Sequence, residues 1–118
     1  MNAETTLQQQ IRLACCRGES RLFRNNVGAL RDATTGRQIR FGLRPGSGDL
    51  IGWRTVTIGP EHLGLRLAQF VSCEVKTPGK TASDDQRAWR DEVLAAGGLA
   101  FIAHGPDEAH SIIRRPFP

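Results

Sequence analysis

The chain has 118 residues, a mass of 13.0 kDa, 39% hydrophobic and 24% charged residues, and a net charge of +4. A chain this long buries roughly two-thirds of its unfolded surface, enough for one modest core, and it is too apolar for a disordered protein. No run approaches the ~20 apolar residues of a membrane span and residues 1–10 lack a secretory core, so an intracellular, cytoplasmic protein without membrane contact is expected.

Leu7, Ile11, Ala14 and Cys15 recur at helical spacing and predict an amphipathic helix over about residues 3–16, closed by Gly18. A short strand is expected at Arg21–Asn25, then a hairpin or loop from Ala29 to Gly42 turning at Thr34-Thr35-Gly36. Arg44-Pro45-Gly46-Ser47-Gly48 is turn chemistry. Asp49 opens a β-branched and aromatic run, Leu50 to Ile58, which predicts a strand ended by Gly59-Pro60. Leu65 to Val75 predicts a neighbouring strand, most simply joined to it as a hairpin.

Ser83 has the position of an N-cap for a helix over about residues 84–96, with Asp84 and Asp85 suiting its dipole. Trp89, Val93 and Ala96 form its apolar stripe, and Gly97-Gly98 ends it. Leu99–Ala103 predicts a strand buried on both faces, and Asp107–Arg114 a last helix. A strand–helix–strand crossover over residues 65–103 requires a parallel pair, and hairpins before it make the sheet mixed. The expected class is α/β: a central mixed sheet flanked by helices, α-β-β-β-α-β in order, with residues 1–118 as a single small domain.

Cys15 and Cys16 are adjacent and Cys73 is distant, so no disulfide framework is expected, and His62, His104 and His110 lack the spacing of a zinc site. The first 44 residues hold eight arginines against Glu4, Glu19 and Asp32, a local excess of five positive charges. Fourteen of the sixteen basic residues are arginine, whose planar fork suits phosphate, which hints at nucleic acid.

Asp49, Glu74 and Lys76 are the chemical candidates. Side chains two apart on a strand share a face about 6.5–7 Å apart, so Glu74 and Lys76 project together while Val71, Cys73 and Val75 are expected to turn into apolar packing. Should the strand after Asp49 pair alongside, its carboxylate reaches the same spot. Two carboxylates repel unless a cation lies between them, and Mg2+ binds through one or two carboxylates plus water and phosphate. A solvated Glu74–Lys76 surface pair is the plainer alternative.

Three segments, Gly46-Ser47-Gly48-Asp49-Leu50-Ile51-Gly52-Trp53, Phe70-Val71-Ser72-Cys73-Glu74-Val75-Lys76 and Gln86-Arg87-Ala88-Trp89, resemble in order and spacing the virus-type replication-repair nuclease (VRR-NUC) domain of the PD-(D/E)xK nuclease superfamily. Arg24-Asn25-Asn26-Val27-Gly28 and the closing Gly97-Gly98…Phe101-Ile102 extend the resemblance over nearly the whole chain. Gly48 departs from the pattern, standing where a proline often precedes the aspartate.

The resemblance implies a restriction-endonuclease-like core. It implies Asp49, Glu74 and Lys76 as catalytic, with Gln86 facing them, and Asp49, Glu74 and the first-helix acid Glu4 as metal ligands. Glu4 is equally a first-turn carboxylate that the helix dipole favours, and Gln86 equally closes a capping box with Ser83. Arg24, Asn25 and Asn26 resemble the family's polar segment, which contacts phosphate or braces the sheet. Arg37, Arg40, Arg44 and Lys80, in flanking loops, are candidate DNA contacts. Trp53 and Trp89 suit a core better than base stacking, and His104 is expected to be a hydrogen-bonded structural residue.

The expectation is thus a Mg2+-dependent DNA endonuclease, with Mn2+ as the other candidate ion and no organic cofactor. Stand-alone family members, frequent in phages, resemble dimeric Holliday-junction-resolving enzymes, so branched DNA and a homodimer are expected, with Ile112, Ile113 and Phe117 at the dimer contact. A monomeric flap- or nick-directed nuclease and a non-catalytic nucleic-acid-binding module are the rivals.

Overall fold

Asn2 starts the first helix, α1 (Ala3–Cys15), with its side-chain oxygen accepting the Thr5 N–H at 2.8 Å, a cap that satisfies one orphan donor of the first turn. The computed structural model describes residues 2–117, in two compact units, Met1–Val56 and Thr57–Pro118. The α/β class holds, built from three helices and three two-stranded ladders. Among the described residues no helix is long and apolar enough to cross a membrane.

In the first unit, β1 (Ser20–Arg24) pairs antiparallel with β4 (Leu50–Arg54), Leu22 lying opposite Gly52. Gly52 is required there: a Cβ would stand 1.8 Å from the Arg21 carbonyl oxygen. Phe23 and Trp53 pack on each other with centroids 5.5 Å apart. The expected hairpin is β2 (Gly28–Arg31) against β3 (Gln38–Phe41), and Asp32 anchors its turn by accepting the Thr34 and Thr35 N–H groups.

The face of α1 differs from the expected stripe. Leu7 and Ile11 are 54% and 42% exposed and Glu4 is exposed, whereas Thr5, Gln8 and Cys15 are half-buried. The short connection to β1 sets this rotation. Ser20 Oγ donates to the Cys15 carbonyl at 2.6 Å, and the Cys16 thiol donates to Leu22 O and accepts Leu22 N–H. Those bonds pin the last turn and give Cys16 a role that its sequence position did not suggest.

The second unit contains a 3-10 turn at Pro60–His62, β5 (Val71–Val75), α2 (Asp84–Ala95), β6 (Leu99–Ala103) and α3 (Pro106–Ile113). β5 and β6 are parallel, Cys73 opposite Phe101, as a crossover through α2 demands. Ala82, Val93, Ala100, Phe101 and Ala103 are the buried hydrophobic residues among those described, and Val93 is the most enclosed at 1%.

The expected hairpin between residues 50–58 and 65–75 is not among the ladders of the described residues. β4 has β1 as partner and β5 has β6, and both strands are shorter than expected because their partners end. Thr55 N–H still reaches Glu19 O, but β1 begins at Ser20, so Val56 to Ile58 find no continuing ladder. Leu99 N–H bonds Phe70 O at the start of β6, so residues 65–69 precede any pairing.

Candidate active site

The alternation expected on β5 is present, but the covered face is the other one. Val71 and Val75 are 40% and 74% exposed and Cys73 is exposed, whereas Ser72, Glu74 and Lys76 are half-buried. Helix α2 determines this. Trp89 Nε1 donates to Ser72 Oγ at 2.8 Å and its ring meets Phe70 edge-on, so the even-numbered row lies beneath the helix. Trp89 thus has a structural position.

Glu74 is the centre of a small polar cluster. Gln86 Nε2 donates to Glu74 Oε1 at 2.7 Å, and Lys76 Nζ lies 3.7 Å from the same oxygen. Gln86 meanwhile closes the capping box, its Oε1 accepting Ser83 N–H while Ser83 Oγ accepts Gln86 N–H. Gln86 thus closes the capping box and touches Glu74 through opposite ends of one amide.

A partly exposed ion pair contributes about 1 kcal/mol or less. Stability is a weak reason to place Glu74, Lys76 and Gln86 together. The result is a carboxylate with one oxygen fixed by a neutral donor and a cation, and a second oxygen, Oε2, without a hydrogen bond among the described residues.

In the first unit, Asp49 precedes β4 with an exposed carboxylate that has no hydrogen bond or ion pair among the described residues. Its main chain is held firmly. Asn25 N–H donates to Asp49 O at 2.9 Å, Asn25 Nδ2 donates to Ser47 Oγ and Gly48 O, and Asn25 Oδ1 accepts Leu43 N–H at 3.0 Å. Gly42 approaches so closely that a Cβ would stand 2.5 Å from Asn26 O, at a φ of 78° that favours glycine. Asn25 thus braces the Gly-rich loop from both ends. Sequence offered only a polar Arg-Asn-Asn run as a signal for it.

The other candidates are less engaged. Glu4 is exposed in the first turn of α1, and Arg24, Asn26, Arg37, Arg44 and Lys80 are exposed. Arg40 is exposed on strand β3 rather than in a loop. Lys80 lends its carbonyl to His104 Nε2 at 3.3 Å, while His104 N–H and Nδ1 both meet Glu108 Oε2. His104 is a hydrogen-bonded junction residue. All three cysteines are free thiols.

Among the described residues there is no group of three or more His, Cys, Asp or Glu side chains that could hold a metal ion. Mg2+ does not require one, since it commonly takes one or two carboxylates and completes its shell with water and phosphate. In the second unit Glu74 Oε2, and in the first the Asp49 carboxylate, are each hard oxygens without a hydrogen bond among the described residues, the donor type that Mg2+ takes.

No curated protein and no solved structure matches the chain. A family model does: that of the VRR-NUC domain, over residues 3–107. The match takes in the braced Asp49 loop, the Glu74–Lys76 strand and the Gln86 helix, and the chain belongs to the VRR-NUC domain family, a family of nucleases.

Proposed function

We propose that the chain is a Mg2+-dependent, structure-selective DNA endonuclease that hydrolyses phosphodiester bonds, working as a homodimer on four-way junctions. The observation that carries this reading is Glu74 in a VRR-NUC chain, with one oxygen held by Gln86 beside Lys76 and the other open. Asp49 and Glu74 would hold the ion, with Glu4 as a further carboxylate. A bound Mg2+ supplies a Lewis acid for the phosphate and lowers the pKa of water.

The chain's own groups do the rest. Gln86 keeps Glu74 in one orientation, so that little reorganisation is needed when the substrate arrives. Lys76, half-buried at the end of β5, is placed to orient the attacking water or to offset charge that develops on the phosphate. Asn25 keeps the main chain of Asp49 in place. Arg24, Asn26, Arg37, Arg40, Arg44 and Lys80 would contact phosphates, giving selectivity by shape rather than by base edges.

A four-way junction is two-fold symmetric, and paired nicks call for two sites, which a symmetric dimer supplies. Ile113 and Phe117, 46% and 72% exposed, are offered as part of that contact. The free thiols suit a reducing cytoplasm.

The test compares Mg2+-dependent cleavage of a four-way junction, a 5′ flap and plain duplex, with Glu74→Ala and Lys76→Ala as controls and light scattering for mass. Preferred junction cleavage by a dimer, lost in both variants, is expected. Cleavage of the flap alone by a monomer would replace the resolvase reading with a flap nuclease. Binding without any metal-dependent cleavage would leave a nucleic-acid-binding module.

A further inference from the structure

The face of α1 turned toward β1 is polar, and it forms one wall of a shallow groove. Thr5, Gln8, Gln9 and Arg12 line that wall, and Arg24 and Leu50 line the rest. Arg24 and Leu50 are directly opposed in the β1–β4 ladder, and Leu50 follows Asp49 in the chain. The strand that carries Asp49 into place therefore also floors the groove.

The lining chemistry selects the occupant. Neither the Arg12 nor the Arg24 guanidinium has a hydrogen bond or ion pair among the described residues, and no carboxylate lines the groove. A cation would meet two like charges. An apolar group would find Leu50 and the aliphatic stems of the other side chains, but beside two charged guanidinium groups. An anion would find two planar guanidinium forks with amide and hydroxyl donors from Gln8, Gln9 and Thr5, the pattern suited to a phosphate.

We infer that this groove binds a non-reacting phosphate of the nucleic-acid backbone, with Arg12 and Arg24 gripping it from the helix and strand sides. The inference rests on the nuclease reading for the identity of its ligand. It adds Arg12, Gln8 and Thr5 to the binding surface, residues whose place on α1 would otherwise suggest only solvation. The phosphate is taken as a non-reacting one because no carboxylate lines the groove itself.

The test is equilibrium binding of the full chain to a fluorescein-labelled four-way DNA junction in EDTA, over a range of salt concentrations, with Arg12→Ala, Arg24→Ala, Arg12→Lys and Arg115→Ala. Arg115 is an exposed arginine outside the groove and measures the loss of any positive charge. Each groove alanine variant should weaken binding about tenfold and reduce the magnitude of the log–log salt slope by about one. Arg12→Lys should keep the slope and lose part of the affinity.

Circular dichroism verifies the fold of each variant, and Arg12→Gln serves if Arg12→Ala does not fold. Groove variants that bind like Arg115→Ala, in affinity and slope, would overturn the inference. Metal-dependent cleavage by the unaltered chain is read separately. A chain that cuts but ignores the groove arginines keeps the nuclease and loses the groove, and one that binds through them without cutting does the reverse.

Discussion

Gln86 ties a helix cap to a candidate metal ligand: its Nε2 donates to Glu74 Oε1 at 2.7 Å while its Oε1 accepts Ser83 N–H at 2.9 Å. The start of α2 and the orientation of Glu74 are therefore linked through one side chain. Gln86→Ala should lose both ends, costing about 1 kcal/mol of stability and about tenfold in cleavage rate. Gln86→Glu keeps an oxygen for Ser83 but sets a second carboxylate against Glu74. Its stability should stay nearer to that of the unaltered chain while cleavage falls further. Urea unfolding beside single-turnover cleavage separates the two effects, and equal losses of rate in both variants would argue against an orienting role.

Asn25 offers a similar separation in the first unit. Its side chain makes three hydrogen bonds to Leu43, Ser47 and Gly48, and a net bond is worth about 1 kcal/mol. Asn25→Ala should thus destabilise by about 2–3 kcal/mol and open residues 43–48 to proteolysis. Asn25→Asp keeps the acceptor for Leu43 N–H and removes the donor, so an intermediate loss is expected. Limited proteolysis with mass spectrometry locates the new cut sites. An unchanged cleavage pattern in Asn25→Ala would mean the loop does not depend on this residue.

Much of this was legible in the sequence where local chemistry decides. Ser83-x-x-Gln86, the Thr34-Thr35-Gly36 turn and the apolar run Leu99–Ala103 each specify their own structure within a few residues. What was not legible depends on partners. The ends of β4 and β5 follow from where β1 and β6 stop, and the covered side of β5 follows from where Trp89 of α2 reaches. Period-two alternation names two faces without saying which is covered. Helix α1 shows the same lesson, since Ser20 and Cys16 set its rotation against its own hydrophobic stripe.

The core of the second unit predicts a large effect from a small change. Val93 is 1% exposed, and a Cβ on Gly98 would stand 2.7 Å from Val93 Cγ1, so helix and chain reversal meet there without slack. Val93→Ala should cost about 2 kcal/mol through lost burial and the cavity left behind. Gly98→Ala should also destabilise, because the Val93 side chain must move to admit the new methyl. Denaturant unfolding of both variants tests this. A midpoint unchanged in Val93→Ala would show that the site collapses to fill the gap.

Glu108 predicts how the second unit responds to acid. The His104 backbone N–H donates to Glu108 Oε2 at 3.1 Å and is the main reason the carboxyl is held below its ordinary value of 4.5. Desolvation opposes it, and the His104 ring adds a hydrogen bond and its charge. A carboxyl whose pKa is lower in the folded chain binds its proton more readily when unfolded, so ionised Glu108 favours folding above the ordinary value. That contribution fades as pH falls through the lowered folded value. Glu108→Gln keeps an acceptor for the backbone N–H but removes the titration. The stability difference between the unaltered chain and Glu108→Gln should shrink as pH falls from about 5 toward 3. Parallel stability curves for the two proteins across that acid range would show that the His104–Glu108 contact carries no linkage.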